Sequence, residues 1–222
     1  MCCRSCTSKS APLLMIKKLK QIVIGFDIRE MWMPFSEQWP QERIDRFCLR
    51  EDVKKVLSTD TRVWPSVFDL ESVKRPEKWF GFVQNQWASL STMRQHLDCR
   101  QEGQGGLVWT VGLTLVPSLC DEHQLQLWDN MIGATDPLDL NENWALLGYD
   151  VSDKFLLSGL SNCGFAPEQE DVEEMRRRWS SCLNHFHLFE DPLQASEYAK
   201  VADMRVSEHA PFFVFGLWRL RQ

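Results

Sequence analysis

Four runs rich in β-branched and aromatic residues set the tightest limit on how this chain can fold. They are KQIVIGFDI (20–28), LVWTVGLTLV (107–116), NWALLGYDV (143–151) and APFFVFGLWRL (210–220). Such composition reads as strand. In the second run Trp109, Val111, Leu113 and Leu115 share one face, and Pro117 ends it. A parallel sheet needs a helical crossover between each strand and the next, and no such regular rhythm separates these runs. We therefore expect an α+β fold, with an antiparallel or mixed sheet and helices packed on it. No linker divides the chain, so residues 15–222 are expected to form one globular domain.

Helices fill part of the space between the runs. PEQEDVEEMRRRWSSCLNHF (167–186) has proline in its first turn, acids at its start and arginines later, as the helix dipole prefers. Val172, Met175, Trp179, Cys182 and Phe186 form its apolar seam. QERIDRFCLREDVKKVL (41–57) shows a similar stripe through Ile44, Phe47, Cys48, Val53, Val56 and Leu57. PLQASEYAKVA (192–202) reads as a short helix. Residues 80–83 read as a short strand, followed by a helix to Leu97. With 222 residues the chain can bury a sizeable core without disulfide staples. Ten tryptophans and thirteen phenylalanines supply most of that core, since each ring buries roughly 150–250 Å².

No apolar stretch is long enough to span a bilayer, so no membrane association is expected. The apolar run Ala11–Ile16 is too short for a secretory signal and lysines follow it. Eight cysteines without such a signal read as reduced thiols in the cytoplasm. Cys2, Cys3 and Cys6 lack a second CxxC that would complete a metal site. The first fourteen residues read as a disordered extension, with MIKKLKQIVIGFD from Met15 as a natural beginning.

Several residues could carry chemistry. Cys163 sits in SNCGF, ahead of a helix start and upstream of His185, His187 and His209. A cysteine nucleophile needs such a histidine or helix terminus to lower its pKa. The same residues also make an ordinary turn, with Gly164 free to take positive φ and Asn162 bonding its own backbone. His185-x-His187 lies at an expected helix end, where the two rings point apart. Asp203 or His209 would be needed to complete a metal site there. His209 itself reads as a hydrogen-bonded loop residue. The glycines at 103, 105 and 106 precede a strand rather than follow one, which excludes a phosphate loop. No HExxH or GxSxG occurs, and no cofactor is implied.

Charge is distributed unevenly. Residues 1–100 carry a net +5 and residues 154–222 a net −2, whereas residues 101–153 carry nine acids and no Lys or Arg. Asp121, Glu122, Asp129, Asp136, Asp139 and Glu142 fall in the turn-rich part of that stretch, around Trp128. Acid rimming an aromatic is how a surface that grips a basic protein would look, with charge steering the encounter and the ring anchoring it. A solvated face whose lysine partners come from elsewhere is the alternative. A calcium loop lacks its spaced Asp/Asn pattern. Nucleic acid would be repelled from such a segment.

GYDVSDKFLLSGLSNCGF (148–165) and SEHAPFFVFGLWRL (207–220) resemble segments of uncharacterised small bacterial cytosolic proteins of the polymorphic-toxin immunity type. The resemblance spans Lys17 to the C-terminus and transfers no functional residue. It implies a non-enzymatic inhibitor that occludes one toxin. The sequence expectation is thus a cytoplasmic binding protein whose acidic residues and Trp128 meet a basic partner. A Cys–His hydrolase or transferase using Cys163, and an adaptor or structural interaction protein, are the alternatives.

Overall fold

The computed structural model describes residues 19–30, 49, 87–91, 93, 94, 108–140, 142–161, 165 and 171–221. The expected disordered extension, the helix over 41–57 and the strand over 80–83 lie outside these residues, apart from Leu49. The four strand-like runs all form strands: β1 (Ile22–Glu30), β2 (Val108–Leu115), β3 (Trp144–Ser152) and β4 (Phe213–Leu220). They make one antiparallel sheet in the order β1-β2-β4-β3. The fold is α+β, a four-stranded antiparallel sheet with helices alongside it.

Period-two alternation explains why both faces of this sheet are covered. Val111, Leu113, Leu115, Phe213, Phe215 and Leu217 point to one face and pack with Ile24, Trp128 and Met131. Their neighbours Val116, Val151, Phe212 and Val214 point to the other. There they meet helix α4 (Pro192–Arg205), through Ala195, Tyr198, Ala199 and Ala202. The alanines of α4 let its backbone come close to the sheet. Asp191 caps its start by accepting from the Leu193 N–H at 2.9 Å. At the far end of the same face, Val23, Phe26, Trp87, Met93, Trp144 and Trp218 form a third cluster.

Two irregularities break the strand pattern. The β1–β2 register shifts between Val23 and Gly25, and the β3–β4 register between Leu146 and Gly148. Each inserted residue flips the alternation, so Val23 and Phe26 share a face although three positions separate them. Gly148 sits at the second shift with φ +146°. A Cβ there would lie 2.7 Å from the Leu188 Cβ, so backbone geometry and packing both demand glycine.

The expected helix over 167–186 is shorter than its stripe implied. Among the described residues, α3 covers Val172–Trp179 and a 3-10 turn covers Ser180–Cys182. Met175 and Trp179 are buried as the seam predicted. Past Cys182 the chain turns extended: Leu183 bridges to Phe189, and the Asn184 carboxamide accepts from the Phe186 and Leu188 N–H groups. Phe186 therefore leaves the seam and packs in the cluster on the opposite face.

Gly216 leaves no room for a side chain. A Cβ at this position would fall 2.5 Å from both Gln21 Oε1 and Thr114 Oγ1, and 3.2 Å from Trp218 Nε1. Gly216→Ala should force these hydrogen-bonded groups apart and cost about 2–4 kcal/mol, as overpacking plus a weakened polar contact. Urea denaturation of the variant measures this; an unchanged midpoint would show that the network yields freely.

Candidate functional site

The acidic stretch is the connection from β2 to β3. These strands are parallel to one another with β4 between them, so the connection has to cross the sheet. It does so with helix α1 (Glu122–Gln126) and helix α2 (Asp129–Ala134), and α2 packs against β1. Asp121 starts α1 with a capping box. Its carboxylate accepts from the Gln124 N–H at 2.8 Å, while Gln124 Oε1 accepts from the Asp121 N–H at 2.9 Å. Thr135 closes α2 by donating its hydroxyl to the Met131 carbonyl at 2.7 Å. The Asp136 N–H then donates to the Ala88 carbonyl at 2.8 Å, tying down the loop that follows.

Asp121, Glu122, Asp129, Asp136, Asp139 and Glu142 are all exposed. None makes an ion pair among the described residues. Trp128 behaves differently from its acidic neighbours. It is fully buried and stacks edge-on against Phe213 at 5.3 Å and Phe215 at 5.1 Å. Its expected role as a surface anchor is therefore corrected. The ring is the keystone that seats the acidic connection on the sheet. The spacing of Trp128, Met131 and Thr135, all buried, is one helical face and was the available signal.

Of the three other acids in the lysine-free stretch, Glu102 lies outside the described residues, and Asp150 and Asp153 are buried in the corner at the end of β3. Asp150 Oδ1 accepts from the Val151 N–H and the Ser158 hydroxyl, each at 2.8 Å, and Oδ2 faces the Ser152 hydroxyl at 3.3 Å. Ser158 Oγ in turn accepts from the Leu160 and Ser161 N–H groups. Asp153 Oδ1 accepts from the N–H groups of Phe155 and Leu157 at 2.8 and 2.9 Å. Its Oδ2 lies 2.7 Å from Nδ1 of His209. Tyr198 reaches the same corner from α4 and donates its hydroxyl to the Gly159 carbonyl at 2.9 Å. Burial, with a smaller contribution from Asp150, pushes that phenol up to about 12, against the opposing pull of Arg205.

His209 is thus a hydrogen-bonded loop residue as the sequence suggested, with a partner the sequence did not reveal. The Phe165 ring packs edge-on against its imidazole at 4.6 Å. Cys163 lies outside the described residues. His185 and His187 part company. His185 is exposed beside Phe186, while His187 is buried at φ 62° and its Nε2 accepts from the Leu49 N–H at 3.1 Å. Asp203 accepts from the Phe212 N–H at 2.7 Å, and burial raises its carboxyl above the usual range. Among the described residues no three His, Cys, Asp or Glu side chains converge on a metal position. No described helix is long and apolar enough to cross a membrane.

Trp128→Ala should lower stability by about 3–5 kcal/mol, the cost of emptying a large core site. Denaturant unfolding followed by circular dichroism reads this out. A loss below about 1 kcal/mol, the scale of a surface change, would return the ring to the surface.

No protein-family model, curated protein or solved structure matches this chain.

Proposed function

We propose that this is a cytoplasmic protein-binding inhibitor of the immunity type, which occludes a basic partner with the acidic β2–β3 connection. One observation carries the reading: six exposed carboxylates on a single connection, none in an ion pair among the described residues. An acidic surface of this kind raises the encounter rate with a cationic protein and rejects phosphate-rich ligands. The buried Trp128 supports it from below by holding α1 and α2 on the sheet. Affinity then comes from charge and from the backbone frame rather than from an aromatic anchor. Cys120 and Cys182 are free thiols, which suits a reducing compartment.

Capture of the partner from the native host, followed by a toxicity-rescue assay, identifies the target. Against that partner, Asp129→Lys, Asp136→Lys and Asp139→Lys combined should slow association about 10-fold or more and flatten its dependence on salt. All three side chains are exposed, so the thermal midpoint should barely move. Association rates that match wild type across a salt series would remove the interface from this connection.

A further inference from the structure

Helix α4 turns one face to the sheet and the other to water. Ala195, Tyr198, Ala199 and Ala202 are its buried side. Leu193, Glu197, Lys200 and Met204 are exposed and recur at intervals of four, three and four residues. At about 100° per residue these four lie within roughly 60° of one another, opposite the buried set. Among the described residues only four large apolar side chains are exposed, and two of them stand at the ends of this stripe. Leu193 is 56% exposed and Met204 75%. The charged pair lies between them, with Lys200 Nζ 2.7 Å from Glu197 Oε1. Alternating intervals of four and three are the seam along which one helix packs on another. The order along this seam is apolar, acid, base, apolar, so the seam is complementary to its own reverse.

We propose that the outer face of α4 is a homodimer surface, occupied by a second copy of this chain docked antiparallel across a two-fold axis at the level of Tyr198 and Ala199. One register satisfies every position on the stripe. Leu193 meets the partner's Met204, Glu197 meets the partner's Lys200, and symmetry repeats both contacts. A parallel copy would set Glu197 against the partner's Glu197 and Lys200 against the partner's Lys200, so charge rejects it. A slip of one turn would set Leu193 or Met204 against a charged side chain. The helix has 14 residues. A pair of such helices buries less than the roughly 1,200 Å² at the low end of stable specific interfaces, so the dimer is weak, with a dissociation constant on the order of 10–100 µM. Helix α4 and the acidic connection cover opposite faces of the sheet, so this dimer leaves that connection open, and either assignment can fail without the other.

Sedimentation velocity of the intact chain under reducing conditions, from about 5 µM to about 500 µM, brackets a constant of that order and tests this. The average mass should rise from monomer towards dimer across the range. Glu197→Lys and Lys200→Glu should each weaken the dimer about 5-fold or more, because each sets two like-charged pairs face to face. The two reversals combined should restore it. Leu193→Ser should weaken it about 10-fold through lost apolar burial. These side chains are exposed, so the variants should keep the fold, which circular dichroism checks. A cross-link fixes the direction. Positions 193 and 204 lie about 16 Å apart along one helix, so in a chain carrying Leu193→Cys and Met204→Cys a disulfide between them forms only between two molecules. Peptide mass spectrometry after mild oxidation should find this 193–204 link in place of 193–193 and 204–204 links. A chain that stays monomeric throughout the range, a dimer unmoved by the charge reversals, or links between like-numbered positions overturns the proposal.

Discussion

One carboxamide holds the four strands in lateral register. Gln21, immediately ahead of β1, accepts from the Thr114 hydroxyl of β2 at 2.6 Å and from the Trp218 indole N–H of β4 at 2.8 Å. Its amide nitrogen donates to the Tyr149 hydroxyl of β3 at 3.1 Å. The space it occupies exists because Gly216 has no side chain. Such a network stabilises only when every member is satisfied, so it specifies one alignment of the strands and penalises any slip. Burial, more than this hydrogen bond relieves and with a further push from Asp191, raises the Tyr149 phenol above its ordinary value. The phenol therefore stays a neutral hydrogen-bonding group. With β3 held in place, its C-terminal end delivers Asp150 and Asp153 to the corner where α4 and the loop before β4 arrive.

The lysine-free stretch puts one residue type to two opposite uses. Its six exposed acids keep their hydration and incur no desolvation cost. Asp150 and Asp153 lose that hydration, and in its place each is surrounded by three close donors. These donors are backbone N–H groups, serine hydroxyls and an imidazole, and none of these named donors is a permanent cation. A buried carboxylate here is thus compatible with a segment that contains no arginine or lysine. The apolar residues between the exposed acids do the fastening, with Trp128 wedged against Phe213 and Phe215.

The strands were legible because alternation over eight or nine residues is a local signal. The two register shifts were not, since a bulge depends on how the neighbouring strand pairs. Helix α4 was legible as a short helix over 192–202, and it runs on to Arg205. The stripe from Val172 to Phe186 overran its helix, because the pairing of Leu183 with Phe189 competes with helical continuation and wins. Trp128 was misread for a related reason. Acidic, turn-rich neighbours imply a surface, but solvent exposure is decided by the sheet face lying beneath. His209 was read correctly as a loop residue, yet its partner lies 56 positions away, beyond the reach of any local pattern.

From the linear chain alone came most of the element types, a sheet that was antiparallel or mixed, and the segregation of charge into one connection. These follow from side-chain size, branching and charge, which act over a few residues and need no partner. Tertiary structure alone decided which acids face water and which are buried, where the aromatic of the acidic connection points, and that Asp153 holds His209. Those outcomes depend on desolvation and on donors contributed by distant strands, and neither exists until the sheet has formed.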